Sequence, residues 1–174
     1  MRKLFIIKKL HINGFGKKEL IHAYTTFIRP HLEYCSVSWG SNLSDKLKIK
    51  VEKCQKRALS MILKLKVDRK NYCQILDDLN LETLEKRREK SLMRFGRGMF
   101  ISKRYRRMLP AGASTHFRTL RRRQALLVEP VTKRDRYKFS TIPQITRAIN
   151  TEYIEKGTIF GWSKTEADVV EGRY

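Results

Sequence analysis

Apolar positions recur every three to four residues along most of this chain, and the alternation typical of strands is nearly absent. The pattern predicts an opening helix over about Leu4 to Ile12, followed by a turn at the letters NGFG. A second helix begins at Lys17 and leads into the stretch YTTFIRPHLEYCSVSWG, residues 24–40. The chain therefore reads as predominantly helical from its start.

Pro30 interrupts the helical pattern of residues 24–40. It lacks a backbone donor and crowds the carbonyl of Thr26, at a cost of about 3 kcal/mol inside a helix. One interpretation is a bend at Pro30 that turns Arg29 outward and brings three residues into the core: Leu32, Cys35 and Trp39. The other is a helix boundary, with the proline opening a new helix and Arg29 as a solvated charge.

The clearest helix is predicted from Asp45 to about Lys66, with Ser44 as its cap candidate. Its predicted buried face comprises Leu47, Val51, Cys54, Ala58, Met61 and Leu65. A basic stripe, expected beside that face, comprises Lys46, Lys50, Lys53, Arg57 and Lys64. Solvated helix faces usually mix charge signs, but only two acids offset eight bases between residues 45 and 66.

Three further helices follow in the pattern. A short one is predicted over 71–79, and Thr83 is expected to cap a long one that continues to about Phe100. The long helix should bury Leu84, Leu92, Phe95 and Met99. Arg88 falls on the same stripe, so we expect it to be partly buried and paired with Glu33 or Glu52.

After Pro110 the periodicity fades into a basic, partly extended segment that contains Arg121, Arg122 and Arg123. A final short helix over 142–150 should bury Ile142, Ile145 and Ile149. The predicted fold class is therefore all-α. A small helical bundle occupies residues 1–109, the basic segment and its closing helix occupy 110–150, and the tail 151–174 stays unassigned.

Composition narrows the class of partner. The 174 residues are 41% hydrophobic, which is enough for one domain or two small lobes. No apolar run is long enough to span a membrane, and no secretory signal is visible, so we expect a location in the nucleus or cytoplasm. Residues 1–150 hold 36 bases and 12 acids, a net charge of +24. Such a surplus favours a polyanionic partner, with nucleic acid first and an anionic membrane surface as the rival.

Candidate catalytic and metal chemistry is sparse. The three cysteines form no Cys-x-x-Cys pair and are interpreted as small core residues. Neither a metal site nor a cofactor is predicted. Asp77 and Asp78 are adjacent in a helix, so their side chains diverge by about 100° and are interpreted as a solvated helix end. No phosphate-binding glycine loop or nucleophile motif appears either, which favours a chain that is not an enzyme on its own.

Four motifs in order resemble the region after the catalytic palm in reverse transcriptases of jockey-like non-LTR retrotransposons. They are YTTFIRPHLEYCSVSWG, VEKCQKRALSMIL, LNLETLEKRREKSLMRF and TKRDRYKFSTIPQITRAIN. The resemblance covers about residues 4–150 and implies a helical thumb that grips template and primer. Neither the family's palm, with its Tyr-x-Asp-Asp turn, nor its endonuclease domain is recognised within these residues, and the resemblance implies that the palm lies upstream.

The leading hypothesis is a thumb that binds an RNA or DNA duplex, or a template-primer, through phosphates. The palm domain of a reverse transcriptase is a further expected partner. The candidate nucleic-acid-binding residues are Arg29, Lys46, Lys50, Lys53, Arg57, Lys64, Arg87, Arg121, Arg122 and Arg123. The alternative is a non-catalytic, transposon-derived interaction module that binds proteins or anionic membrane surfaces.

Overall fold

The computed structural model describes residues 3–110, 127–131, 133–156, 158–159 and 162–163. Its helices confirm the all-α prediction. They are α1 (Leu4–Ile12), α2 (Lys17–Ala23), a π-helix (Tyr24–Ile28), α3 (Arg29–Glu33), α4 (Ser36–Trp39), a 3-10 turn (Gly40–Asn42), α5 (Asp45–Leu63), α6 (Arg69–Asp78), α7 (Leu84–Ile101), α8 (Lys103–Arg106), α9 (Asp135–Lys138) and α10 (Thr141–Lys156). Two strands of two residues, β1 (Thr158–Ile159) and β2 (Trp162–Ser163), pair antiparallel.

The chain divides into two compact units. The first comprises Met1–Ser36 and Leu43–Glu89, and the second comprises Val37–Asn42 and Lys90–Tyr174. The domain boundaries expected from the sequence, at residues 109 and 150, stay a prediction.

The core of the first unit joins α1, α2, the π-helix and α5. One cluster of buried side chains comprises Leu4, Ile7, Leu20, Tyr24, Ile28, Ala58 and Ile62. A second cluster comprises Leu59, Tyr72 and Leu76, which ties α6 to α5. Because α5 contributes to both clusters, it is the central helix of this unit, and its remaining face is free to meet solvent.

Pro30 follows a π-helical turn. Helical dihedrals continue from Lys17 to Glu33, but the Arg29 N–H donates to the Tyr24 carbonyl, five residues back. Pro30 is thereby near the start of α3, where a missing backbone donor costs least. The structure thus contradicts a helix boundary, because the helix runs through Pro30, and it does not bear out the expected insertion of Leu32, Cys35 and Trp39 into the core either.

The core positions expected around this turn need correction. Cys35 is exposed, while Leu32, Trp39 and Arg29 are partly buried. Cys35 has a left-handed backbone, with φ of 53°, which separates it from the helical pattern of the preceding residues. The cysteines as a group are not core residues, because Cys73 is also exposed and Cys54 is only partly buried.

The buried face of α5 differs from the predicted one. It is formed by Gln55, Ala58, Leu59 and Ile62, whereas Leu47 and Leu65 are 46% and 60% exposed. The helix ends at Leu63, because Lys64 adopts a left-handed conformation with φ of 55°. The sequence pattern missed this face because Gln55, a polar residue, lies at its centre.

Gln55 is buried within a hydrogen-bonded network. Its Oε1 accepts from the Tyr24 hydroxyl at 2.7 Å, and its Nε2 donates to the Tyr72 hydroxyl at 3.0 Å and the Glu82 carbonyl at 2.9 Å. The Tyr72 hydroxyl donates in turn to Glu52. Burial is the main cause that raises the pKa of both tyrosines above the usual range, and for Tyr72 the Glu52 carboxylate adds to it.

Local capping fixes the starts of α6 and α7. Asp68 and Asn71 form a reciprocal capping box at the start of α6, with the Asp68 N–H donating to Asn71 Oδ1 at 2.8 Å. The predicted cap at Thr83 is confirmed, because its Oγ1 accepts from the Lys86 N–H at 3.2 Å. Ser44 occupies the cap position of α5, but its side chain makes no capping hydrogen bond.

The second unit has a core of its own, comprising Met99, Phe100, Leu109, Leu127, Ile145 and Ile149. The Asn150 side chain bonds both backbone groups of Leu127, each at 2.9 Å.

Burial of Leu84, Met99, Ile145 and Ile149 is as predicted, whereas Phe95 is 46% exposed and Leu92 and Ile142 are only partly buried. Helix α10 also continues to Lys156, beyond its predicted end at residue 150. No helix in the described part of the chain is long and apolar enough to cross a membrane.

Candidate nucleic-acid interface

Four of the predicted basic residues form a ribbon along α5. Lys46, Lys50, Lys53 and Arg57 are all exposed, and we call them the α5 ribbon. At 100° per residue they fall within an arc of about 60°, and at 1.5 Å per residue they extend over about 16 Å. The ribbon is therefore a narrow, straight row of positive charge.

The ribbon lies opposite the buried face of α5. On the same helical wheel the centre of Gln55, Ala58, Leu59 and Ile62 is about 170° from Lys46. The sequence pattern placed the basic stripe beside the buried seam, which is wrong because that seam was centred on the wrong residues. The correction matters, since a row opposite the core projects its charges furthest into solvent.

Nearby acids are engaged by lysines outside the ribbon. Lys48 lies 3.4 Å from Asp45 and 3.5 Å from Glu85, and Lys66 lies 3.7 Å from Asp68. Within the described ranges, Lys46, Lys50 and Lys53 have no ion-pair partner, whereas Arg57 has a contact of its own. The charge of the three lysines is thus available to an external anion.

The dimensions of the ribbon match a phosphate backbone. One DNA strand carries a phosphate about every 3.4 Å of helix axis, so a row of about 16 Å is long enough for its four basic residues to reach different phosphates. Lysine ammonium groups on flexible stems suit phosphate as point charges, without a fixed register. Contacts of this kind position a duplex and read no sequence.

The other candidate residues that the structure describes, Arg29, Lys64 and Arg87, lie outside the α5 ribbon. Lys64 is exposed but follows the end of α5, and Arg29 is half-buried. Arg87 forms a two-pronged ion pair with Glu33, through Nε to Oε1 and through Nη2 to Oε2 at 3.0 Å. The hydrogen bond to Glu33 raises the pKa of Arg87. The cluster of Arg121, Arg122 and Arg123 lies outside the described residues.

Arg88 is buried, as predicted, but its expected pairing is wrong. Glu33 pairs with Arg87 instead, and Glu52 accepts from the Tyr72 hydroxyl and from the Leu84 N–H at 3.3 Å. Both terminal nitrogens of Arg88 therefore lack an acceptor among the residues that the structure describes. Spacing alone does not distinguish two adjacent arginines on one helix.

In the described ranges, no three His, Cys, Asp or Glu side chains are grouped closely enough to hold a metal ion. Asp77 and Asp78 are exposed at the end of α6.

No family model, curated protein or solved structure matches the chain. The geometry of the ribbon and the quoted motifs are thus the grounds for a functional proposal.

Proposed function

We propose that the first unit is a nucleic-acid-binding, thumb-like module derived from a jockey-like non-LTR retrotransposon reverse transcriptase. The observation that carries the proposal is the α5 ribbon, an exposed row of like charges opposite the buried face of its helix. The ribbon grips consecutive phosphates of a duplex or template-primer, and it confers little sequence preference.

Three of the quoted motifs contact one another in the folded chain. Tyr24 belongs to the first motif, Gln55 to the second and Glu82 to the third, and the three meet in one buried network. In the second motif, Gln55 and Ala58 face the core while Arg57 faces solvent. The motif letters are thus divided between packing and charge, as a thumb helix that must both fold and grip requires.

The proposed role is positioning, without a chemical step. Phosphoryl transfer requires carboxylates that converge on metal ions, and we assign those to a palm domain supplied as a partner. The thumb contributes electrostatic attraction and holds the duplex in place, because phosphate contacts fix orientation on the backbone.

A second candidate is an interaction module that binds proteins or an anionic membrane surface. Apolar side chains on α1 favour it, since Phe5 is 56% and Ile12 is 73% exposed. Basic side chains near an apolar face are typical of helices that lie on anionic lipid. The two candidates differ in which polyanion they prefer at equal charge.

The test is a competition between the two polyanions. The full chain is titrated with a labelled B-DNA duplex and with an RNA–DNA duplex, and anionic phospholipid vesicles or unlabelled duplex then compete at equal charge. The proposal expects both duplexes to bind and the unlabelled duplex to compete better than vesicles. Equal competition by vesicles would replace the nucleic-acid proposal with the interaction module.

A further inference from the structure

A pocket of about 650 Å³ lies in the first unit, next to the ribbon. Helix α5 contributes to its wall, as do the start of α6 with the residues before it, and α7. Its lining is Lys48, Ile49, Glu52, Lys53, Lys56, Val67, Asp68, Arg69, Tyr72, Glu85 and Arg88. Five of these residues are basic and three are acidic, so the wall carries a net positive charge.

Arg88 is the unusual member of this lining. Its side chain is more than nine-tenths buried, with 7% of the residue exposed, and neither Nη1 nor Nη2 has an acceptor among the described residues. A buried guanidinium without a partner is strongly unfavourable, so such groups are normally paired. The charge therefore lacks a partner that the surrounding protein would be expected to supply.

The three acids of the pocket each have a partner other than Arg88. Glu52 accepts from Tyr72 and the Leu84 N–H, and Glu85 lies 3.5 Å from Lys48. Asp68 caps α6 and lies 3.7 Å from Lys66. Lys56, another of the five basic residues of the wall, has its Nζ over the Tyr72 ring, 4.4 Å from the ring centroid.

We propose that this pocket binds a phosphate group, with the Arg88 guanidinium as its principal ligand and Lys56 beside it. The planar fork of arginine matches two phosphate oxygens at once, and phosphate would supply the acceptors that Nη1 and Nη2 lack. Because both nitrogens are covered by protein atoms, binding requires a rotamer change of Arg88 that brings them to the phosphate.

The phosphate has two possible sources. Lys53 belongs both to the pocket and to the α5 ribbon, so the terminal phosphate of a nucleic acid held on the ribbon can reach the pocket. A free phosphate in solution has the same chemistry. The pocket is argued from Arg88 and does not depend on the proposed function of the ribbon.

The first experiment uses inorganic phosphate as the probe. Calorimetric titration of the full chain at constant ionic strength should show saturable binding. Arg88→Met should weaken it at least about tenfold. Methionine keeps the side chain long and apolar, a replacement that buried charges often tolerate, and circular dichroism checks the fold. The matched control, Lys46→Gln with Lys50→Gln, removes ribbon charges outside the pocket and should leave phosphate binding unchanged.

The second experiment compares short single strands that carry a 5′-phosphate or a 5′-hydroxyl. A preference for the 5′-phosphate that Arg88→Met abolishes identifies a nucleic-acid end as the source, and binding of inorganic phosphate without that preference identifies a free phosphate. If Arg88→Met does not fold, Lys56→Gln replaces it and should weaken either probe. The proposal is overturned if neither probe shows saturable, phosphate-dependent binding, or if the folded variant binds as the parent chain does. If the control variant loses duplex binding but still binds phosphate, the loss bears on the α5 ribbon and leaves the pocket proposal intact.

Discussion

Gln55 offers the sharpest test of how the first unit is held together. Replacing it with leucine keeps a similar volume but removes three hydrogen bonds, to Tyr24, Tyr72 and Glu82. The Tyr72 hydroxyl keeps Glu52 as its acceptor, whereas the buried Tyr24 hydroxyl loses the partner that the structure gives it.

The expected magnitude follows from these contacts. A buried polar group left without a partner costs about 1–3 kcal/mol. The Tyr24 hydroxyl and the Glu82 carbonyl both lose the Gln55 side chain, so Gln55→Leu should lower the free energy of unfolding by about 2–4 kcal/mol. Tyr24→Phe leaves only Gln55 Oε1 unsatisfied and should cost about 1–2 kcal/mol.

The double variant carries the decisive information. Combining Tyr24→Phe with Gln55→Leu removes both ends of one buried bond, so the combined loss should be smaller than the sum of the single losses by about 1 kcal/mol. Urea denaturation followed by circular dichroism measures all three. Gln74→Leu, at an exposed position of α6, is the control and should change stability by less than about 0.5 kcal/mol. Strict additivity of the two losses would refute the network.

Two further predictions follow from charged and titratable groups. Arg87→Gln should lower the free energy of unfolding by about 1–2 kcal/mol, because Glu33 loses a charge-assisted pair. It should leave the salt dependence of duplex binding unchanged. A smaller salt slope with unchanged stability would instead place Arg87 in the nucleic-acid interface. The raised pKa values of Tyr24 and Tyr72 keep both hydroxyls protonated in the folded chain, so their stabilising contribution is complete below the ordinary tyrosine value of 10.0. As the pH rises above that value, unfolding releases these protons, and stability should fall by about 1.4 kcal/mol per pH unit for each tyrosine. Denaturation midpoints across this pH range measure the slope, and a flat profile would contradict the burial of the two hydroxyls.

The sequence predicts the helices well because their signals are local. The opening helix, the Thr83 cap and the two isoleucines of α10 follow from spacing and capping chemistry alone. The exposed ribbon residues of α5 are likewise visible as a run of bases with few intervening acids.

The sequence fails where a contact depends on a distant residue. Gln55 is buried because Tyr24 and Tyr72 satisfy its amide, and no periodicity of apolar letters can reveal that. A pattern of apolar residues that omits Gln55 places the centre of the buried face of α5 about a fifth of a helical turn from its position in the structure. The choice between Arg87 and Arg88 for Glu33 fails for the same reason, because it depends on packing between α3 and α7. The phosphate pocket depends on three segments at once and on where each acid is already engaged.

The most direct test of the central claim is the salt dependence of duplex binding with and without the ribbon charges. If the four ribbon residues alone contact B-DNA phosphates, log affinity should fall against log salt with a slope of about −3.6, a loss on the order of 10²-fold between 50 and 200 mM salt. Lys46→Gln, Lys50→Gln and Lys53→Gln together keep helix propensity nearly constant and should reduce the slope by up to about 2.7. The matched control, Lys8→Gln, Lys17→Gln and Lys18→Gln, removes the same charge from exposed positions of α1 and α2 and should leave the slope unchanged. Equal slopes for the ribbon variant and the parent chain, or equal reductions in both triple variants, would contradict the assignment of the α5 ribbon as the nucleic-acid grip.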